Sequence, residues 1–354
     1  MEAKGCDDGR VYILLLNWNG WEDTISCLES VFRNDYHNYR VIVCDNDSKD
    51  KSIEYIKAWA DSQLNVVPPK SEILSDLVEP PVKKPISYVV YDRLAAEDGG
   101  DKNTDSQLVL IQTGANLGFA GGNNVGLRYV LARNDAAFVW LLNNDTLIQR
   151  DSLSQMVERF RCRPQIGICG STIRYYHHPL VTQSLGGCTY NKWFGIANNI
   201  GYMQPASKPI DGDAVEKKMD YVLGASMLVS TEFLSAVGLM NESYFLYYEE
   251  VDWATRAGGK FALAYAPMSV VYHKEGASIG SKLSGSQKLR YRSEYFLIRS
   301  RITFTKNHFL YAIPTVYIGF FVIFLVRVFR GQWTRAAVLV KALFSKEVLN
   351  VEPR

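Results

Sequence analysis

VYILLLNWNG, residues 11–20, decides the architecture of this chain. Val11 to Leu16 is an unbroken apolar run with no polar alternation, the pattern of a strand covered on both faces in a parallel sheet. It stops on Asn17-Trp18-Asn19-Gly20, and residues 21–33 then place Ile25, Leu28, Val31 and Phe32 at helical spacing. A second strand, Tyr39 to Cys44, stops on Asp45-Asn46-Asp47-Ser48 and is followed by a helix carrying Ile53, Ile56 and Lys57. Strand, polar tip and helix, twice in succession, is the βαβ signature. It predicts right-handed crossovers and a doubly wound, mostly parallel sheet flanked by helices.

Working outward, residues 62–106 break the rhythm. Val-Pro-Pro-Lys, Glu-Pro-Pro-Val-Lys-Lys-Pro and Glu-Asp-Gly-Gly-Asp-Lys mark a surface insertion, with strand-like composition only at Ser87–Tyr91. The core resumes at Leu108–Ile111, followed by a glycine-rich stretch from Gly114 to Asn124 that leads into a helix at Val125–Ala132. Residues 136–142 form another apolar strand, ending on Asn143-Asn144-Asp145, and a helix is expected near 151–161. Short β-type runs fill residues 165–230, including Val222–Ser230. A helix opens with Glu249-Glu250-Val251-Asp252, and a strand is expected at Ala262–Ala266. His273 follows Val270-Val271-Tyr272 and precedes a Gly/Ser loop at 276–281.

The bulk composition is that of a globular protein. Of 354 residues, 47% are hydrophobic and 21% charged, which excludes wholesale disorder. Lys plus Arg is 39 against 37 acids, a net charge of +2, without the basic excess of a nucleic-acid binder. Six cysteines (Cys6, Cys27, Cys44, Cys162, Cys169, Cys188) include no CxxC pair, and Cys44 lies within an apolar run. A reduced, cytoplasmic setting is expected. The first eight residues show no basic and apolar leader, so no secretion signal is expected.

The tail differs in kind. Phe309 to Val326 is 18 uncharged residues flanked by Arg301, Lys306, Arg327 and Arg330. As a helix it reaches roughly 27 Å, just short of a roughly 30 Å hydrocarbon core, and Pro314 lies near its start. Residues 335–346 form a basic amphipathic segment. The expectation is a helix lying in or dipping into an anionic membrane face, with a hairpin packed on the main domain as the alternative.

In an open α/β sheet, ligands bind beyond the carboxyl ends of the strands. Four polar tips collect there: Asn17/Asn19, Asp45/Asn46/Ser48, Asn116 with Gly118 and Gly122, and Asn143-Asn144-Asp145. Each alone is explained by turn formation. Four after successive apolar strands point to a ligand, and a carboxylate with amides at 143–145 suits a hard cation. The glycines have neither the GxGxxG nor the GxxxxGK[ST] spacing; a tight turn into a helix accounts for them as well as a nucleotide does. The acids at 249, 250 and 252 suit the dipole of a helix start or, partly buried, a general base. His273 reads as structural or as a ligand, and His177-His178 as surface.

As an ordered set these motifs carry a resemblance. Asn17-Trp-Asn-Gly20, Asp45-Asn46-x-Ser48, Asn116-x-Gly118-x-x-x-Gly122-x-Asn124, Leu142-Asn-Asn-Asp145, Gly224-Ala-x-Met227 and Glu249-Glu250-Val-Asp252, closed by His273, resemble the family 2 glycosyltransferases. The nearest likeness is to the rhamnosyltransferase-like and galactofuranosyltransferase-like branch, over residues 10–280. The resemblance implies a GT-A fold across residues 1–300, with residues 301–354 as apolar and basic helices on the membrane.

It also implies roles. Asp45 would accept the N3–H of uracil or thymine, with Asn17, Asn19, Asn46, Ser48, Asn116, Gly118 and Gly122 around the nucleotide. Asn143-Asn144-Asp145 matches the Asp-x-Asp motif. Asp145 and His273 would ligate Mn²⁺ or Mg²⁺ on the diphosphate, and Asn143 and Asn144 would face the nucleotide. Glu250 falls at the catalytic carboxylate, with Asp252 as a rival. Two departures stand out: Asn143 replaces the first Asp, and Glu250 is one methylene longer than the usual Asp.

The activity implied is inverting transfer of a sugar, rhamnose-like by likeness, from a dTDP or UDP donor to a glycan or lipid-linked acceptor. It would serve cell-surface polysaccharide synthesis at the cytoplasmic face of the membrane. A sugar nucleotidylyltransferase would want a cationic Gly-rich loop after the first strand, which Asn17–Gly20 lacks. A membrane-docked sugar-nucleotide-binding protein with a decayed centre is the non-enzymatic alternative.

Overall fold

The computed structural model describes residues 9–163, 165–274 and 287–344. Its strands are β1 (Val11–Asn17), β2 (Tyr39–Asp45), β3 (Tyr88–Asp92), β4 (Leu108–Gln112), β5 (Phe138–Asn143), β6 (Thr146–Ile148) and β7 (Ile166–Tyr175). They continue with β8 (His178–Leu185), β9 (Gly187–Asn191), β10 (Ile196–Asn199), β11 (Tyr221–Val222), β12 (Ser226–Ser230) and β13 (Ala262–His273). The main sheet runs β3-β4-β2-β1-β5-β12-β7-β13-β6, with β8 paired to β7. The five strands from β3 to β5 are mutually parallel. Beside them β12 runs antiparallel to both β5 and β7. A smaller sheet, β10-β9-β11, stands apart.

Val11 to Leu15 have no exposed surface. Successive side chains of a strand face opposite ways, and here both faces are covered. Ile13, Leu15, Val41 and Val43 pack beneath the helices Trp21–Val31, Ser52–Ala60 and Ser152–Cys162. Tyr12, Leu14, Ile42 and Cys44 pack beneath the helices Gly118–Arg133, Thr231–Val237 and Glu249–Ala257. An alternating sequence would have left one face wet, which is why the apolar run reads so directly as a central strand.

Three sequence expectations shift. The glycine-rich stretch lies inside its helix, which starts at Gly118 rather than at Val125. The reason is contact: a Cβ on residue 122 would stand 2.5 Å from Leu16 Cδ1 and 3.2 Å from the Asn46 amide. The 62–106 insertion is more than surface, because β3 extends the central sheet as a parallel edge strand and Leu74, Val78 and Ile86 are buried. Glu29, wholly buried, anchors it by accepting from Trp59 Nε1 (2.8 Å), Val82 N (2.8 Å) and Lys84 Nζ (2.7 Å). The strand expected at 262–266 extends through a register shift to His273.

The division expected after residue 300 falls inside one helix, Gln287–His308. A short 3₁₀ turn (Leu310–Ala312) and the helices Ile313–Phe329 and Trp333–Phe344 follow. Val316, Phe320, Leu339 and Ala342 pack on Tyr295, Phe296, Ile298 and Ile302. Leu310–Phe329 is long and apolar enough to cross a membrane, with mean hydropathy 2.1 and only 17% of its span buried. Ile318, Phe321, Val322 and Phe329 stand exposed. The tail is thus both a packed hairpin and an open apolar face.

Candidate functional site

Parallel register brings the polar tips together. Asn17 lies opposite Asp45 across β1 and β2, Leu16 opposite Asn143 across β1 and β5, and Asp45 opposite Gln112 across β2 and β4. All four tips therefore open on the same edge of the sheet, the edge where α/β folds hold ligands.

On the β1–β2 side the side chains form one bonded network. Asn17 Nδ2 donates to Asp45 Oδ1 (2.7 Å) and to Ser48 Oγ (3.1 Å). Its Oδ1 accepts from Thr24 Oγ1 (2.8 Å), and Thr24 in turn accepts from Asn144 Nδ2 (2.8 Å). Asn17 is wholly buried and Asn144 nearly so, so both act from below, holding the rim. Ser48 Oγ accepts from Asn19 N (2.8 Å). Asn46 Nδ2 donates to Asn116 Oδ1 (3.1 Å) and to the Gly118 carbonyl (3.1 Å), and its Oδ1 accepts from Leu117 N (3.0 Å). Burial raises the Asp45 carboxyl above its ordinary value, against hydrogen bonds from Ser48 and Asn17 that pull it down. Trp18, partly exposed at the same tip, has no distinctive local signal, since an aromatic in a turn has many readings.

On the β5 side, Asp145 Oδ1 and His273 Nε2 are 3.2 Å apart, and Asn143 Nδ2 lies 3.3 Å from the same nitrogen. His273 Nδ1 meets Gln183 Oε1 at 2.9 Å. The Gln183 carbonyl accepts from Nδ1 and turns Nε2 toward Asp145, the usual way a second residue orients a ligating histidine. With no ion between them, an Nε2–H donates to the carboxylate, and an ion would take the place of that proton. Gln183, on β8, carried no sequence signal. Burial pushes the Asp145 carboxyl up, but His273 and then Lys274 outweigh it and hold it below the ordinary range.

Two donors 3.2 Å apart suit neighbouring positions on one ion, since ligands at about 2.1 Å in octahedral geometry are roughly 3 Å from each other. Among the described residues no group of three or more His, Cys, Asp or Glu side chains is placed to hold a metal. The residues therefore fit an ion that takes its remaining ligands from substrate phosphates and water, as Mg²⁺ and Mn²⁺ sites commonly do. The Gly/Ser loop at 276–281 lies outside the described residues.

The acids reach this rim through Gly224-Ala225. Asn143 N donates to the Ala225 carbonyl (3.1 Å), and the Glu250 carboxylate packs against the backbone of Gly224. Burial raises the Glu250 carboxyl above its ordinary value, opposed by backbone hydrogen bonds from Glu250 and Gly224. Glu249 is almost wholly buried, and among the described residues its Oε2 has no hydrogen-bond partner. Burial, then the neighbouring Glu250 charge, holds it well above its ordinary value.

Asp252 has other surroundings. It accepts from Arg256 Nε (2.7 Å) and Tyr244 OH (3.2 Å), and His308 Nε2 of the C-terminal helix lies 2.7 Å away. Tyr247 and Tyr248, with φ of 68° and 73°, bend the chain into this helix. Such a conformation is costly for aromatic residues, and contacts hold it. Tyr247 OH meets Ser293 Oγ (2.5 Å), Tyr248 OH donates to the Gly195 carbonyl, and Arg301 Nε donates to Tyr248 OH (3.1 Å).

Residues 12–70 match the Glycosyl transferase family 2 model. The hexosyltransferase Agl10 of low-salt glycan biosynthesis in Haloferax volcanii is 24% identical over 170 residues, 48% of this chain and 52% of that protein. The chain thus spans about half the length of that relative. Among solved structures, the mannosyltransferase PcManGT from Pyrobaculum calidifontis, in complex with GDP-Man and Mn²⁺, is similar at TM-score 0.52 and 15% identity, over 96% of this chain and 88% of that one. GalNAc-T7 with UDP, GalNAc and Mn²⁺ is similar at TM-score 0.51 and 13% identity, over 82% of this chain and 47% of that one. Residues 12–70 carry a segment of the Glycosyl transferase family 2 type, set in a GT-A-like fold.

Proposed function

We propose that the protein is an inverting, divalent-metal-dependent glycosyltransferase, moving a sugar from a nucleotide-diphosphate donor to a hydroxyl acceptor. One observation carries this reading: Asp145 and His273 converge at 3.2 Å, and Gly224-Ala225 joins their rim to Glu250. A cation site and a proton acceptor thereby border one rim, beside Asp45.

Asp45 takes the base N–H, with Trp18 as the ring on which the base stacks. Asn17, Thr24 and Asn144 hold that loop from below, while Asn46 and Asn116 fix the glycine-rich start of the next helix. Asp145 and His273 would hold Mn²⁺ or Mg²⁺, which as a Lewis acid would neutralise the charge developing on the diphosphate. Glu250, packed against the rim backbone at Gly224 and raised in pKa, accepts the acceptor hydroxyl's proton. The acceptor oxygen bonds to the anomeric carbon as the bond from that carbon to the diphosphate oxygen breaks, its electron pair leaving with the diphosphate. Attack opposite the leaving group inverts the centre. Asp252, tied to Arg256, Tyr244 and His308, is a positioning residue.

Uracil or thymine donors and a rhamnose-like sugar follow from the motif resemblance. The exposed apolar face of Leu310–Phe329 supports a lipid-linked or glycan acceptor met at the cytoplasmic face of the membrane, in cell-surface polysaccharide synthesis. The test is release of nucleoside diphosphate from a panel of UDP-, dTDP- and GDP-sugars with Mn²⁺. Release that vanishes in Asp145→Ala and in Glu250→Gln is expected. Full activity of Glu250→Gln together with its loss in Asp252→Asn would reverse the base assignment, and no release from any donor would end the transferase reading.

A further inference from the structure

The helix Gln287–His308 places one charged group at the mouth of the nucleotide pocket. The Arg292 guanidinium lies 5.5 Å from the centre of the Trp18 ring, 5.4 Å from that of Phe245 and 5.7 Å from that of Phe296. Trp18 sits on the β1 loop between Asn17 and Asn19. The Phe245 carbonyl accepts from Phe119 N (2.8 Å) at the start of the glycine-rich helix. Arg292 therefore roofs the gap between the two loops that wall the nucleotide position.

Among the described residues no carboxylate pairs with it. The nearest acid along its helix, Glu294, is taken by Arg327 and by Arg335 Nε (3.1 Å), and Arg301 bonds Tyr248. Burial lowers the Arg292 pKa with no acid set against it. A partly desolvated guanidinium clamped among three rings is costly unless an anion arrives to take its planar donors. Its fork matches phosphate oxygens in shape as well as charge.

We propose that Arg292 binds a diphosphate oxygen of the nucleotide donor, so that the C-terminal helix completes the donor site. The proposal rests on the glycosyltransferase reading. Charge balance supports it. With Asn143 in place of a second acid, a divalent ion on Asp145 retains one net positive charge, and Arg292 adds another against the two negative charges of the donor diphosphate. The departing diphosphate gains a further negative charge, so this contact strengthens as the sugar leaves.

The experiment titrates UDP and dTDP, each with Mn²⁺, and separately uridine and thymidine, into the full-length protein and its Arg292→Gln and Arg292→Lys variants, by calorimetry. The expected result is that Arg292→Gln weakens the diphosphates by about tenfold, leaves the nucleosides unchanged, and that Arg292→Lys recovers part of the loss. Equal diphosphate affinity in Arg292→Gln overturns the proposal. Equal loss of diphosphate and nucleoside also overturns it, as that marks a packing role. Unchanged diphosphate binding with lost binding to phosphatidylglycerol vesicles assigns the arginine to a lipid headgroup and overturns it too. A wild-type protein that binds no nucleoside diphosphate removes the transferase reading itself, a failure separate from that of Arg292.

Discussion

Glu250 occupies the space that a side chain at Gly224 would fill: a Cβ on residue 224 would stand 2.1 Å from Glu250 Oε1. Only glycine lets the carboxylate reach the backbone of the rim. Gly224→Ala is expected to displace Glu250 and lower turnover by about a hundredfold, the cost of misplacing a reacting group by an ångström. The melting temperature should move little by comparison. Glu250→Gln, which keeps the shape, should lose roughly 10²–10⁴-fold in kcat with nucleoside-diphosphate affinity retained. Initial rates and a thermal melt on both variants check this.

The neighbouring Glu249 and Glu250 set a pH dependence. Their folded-state pKa values are raised, so the folded protein keeps protons in a window where the unfolded chain has released them. Stability therefore falls as pH climbs from the ordinary glutamate value through the raised ones. Glu249→Gln should be more stable than wild type at pH 8, with the difference closing at acid pH, as read by melts across that range. For activity the sign is opposite: kcat/KM should rise with pH through the raised Glu250 value, because only the carboxylate accepts a proton.

Asp252 joins the acid helix to the helix Gln287–His308 through His308, and Arg256 of its own helix pairs with the same carboxylate. Removing a buried partner leaves an uncompensated charge, so Asp252→Ala should cost about 3–5 kcal/mol in denaturant unfolding. His308→Leu should lower the melting temperature by less, since Arg256 and Tyr244 remain on the carboxylate. A variant Asp252→Asn that kept full stability yet lost all turnover would contradict the positioning role.

Glu29 anchors the insertion from wholly inside the protein. Glu29→Ala would strand Lys84 and the Val82 N–H, and a loss of about 3–5 kcal/mol is expected. Limited proteolysis should then cut first within residues 62–106, whose attachment depends on that carboxylate.

Phe321 and Phe329 are 61% and 86% exposed on an apolar helix. Replacing both by serine should reduce co-sedimentation with anionic vesicles while leaving nucleoside-diphosphate binding intact, since neither lines the pocket. Unchanged vesicle binding would remove the membrane role from this face.

Local chemistry carried most of the polar rim. Asn17, Asp45 and Asn143 could be placed at strand ends because an apolar run closed by amides and acids has few other uses, and parallel pairing then brings such ends to one edge. Other residues had no local signature. Gln183 is an ordinary strand residue until β8 carries it to His273. Glu29 reads as a solvated helix position until the insertion folds over it. Trp18 and Arg292 became a pair only when residues far apart in the chain met.

Asn17 and Asn144 illustrate the same limit in reverse. The sequence placed them at strand ends, and they lie there, but only the packed structure shows their amides turned inward to Asp45 and Thr24. That the first strands form, that they run parallel, and that their polar ends share one edge were determined by hydrophobic pattern, a property of neighbours along the chain. Which carboxylate packs against the backbone of Gly224 and which is tied to His308 was decided by tertiary structure. Glu250 and Asp252 differ little as residues. One meets the bare backbone of Gly224, the other Arg256 and His308, and those partners come from three separate parts of the chain.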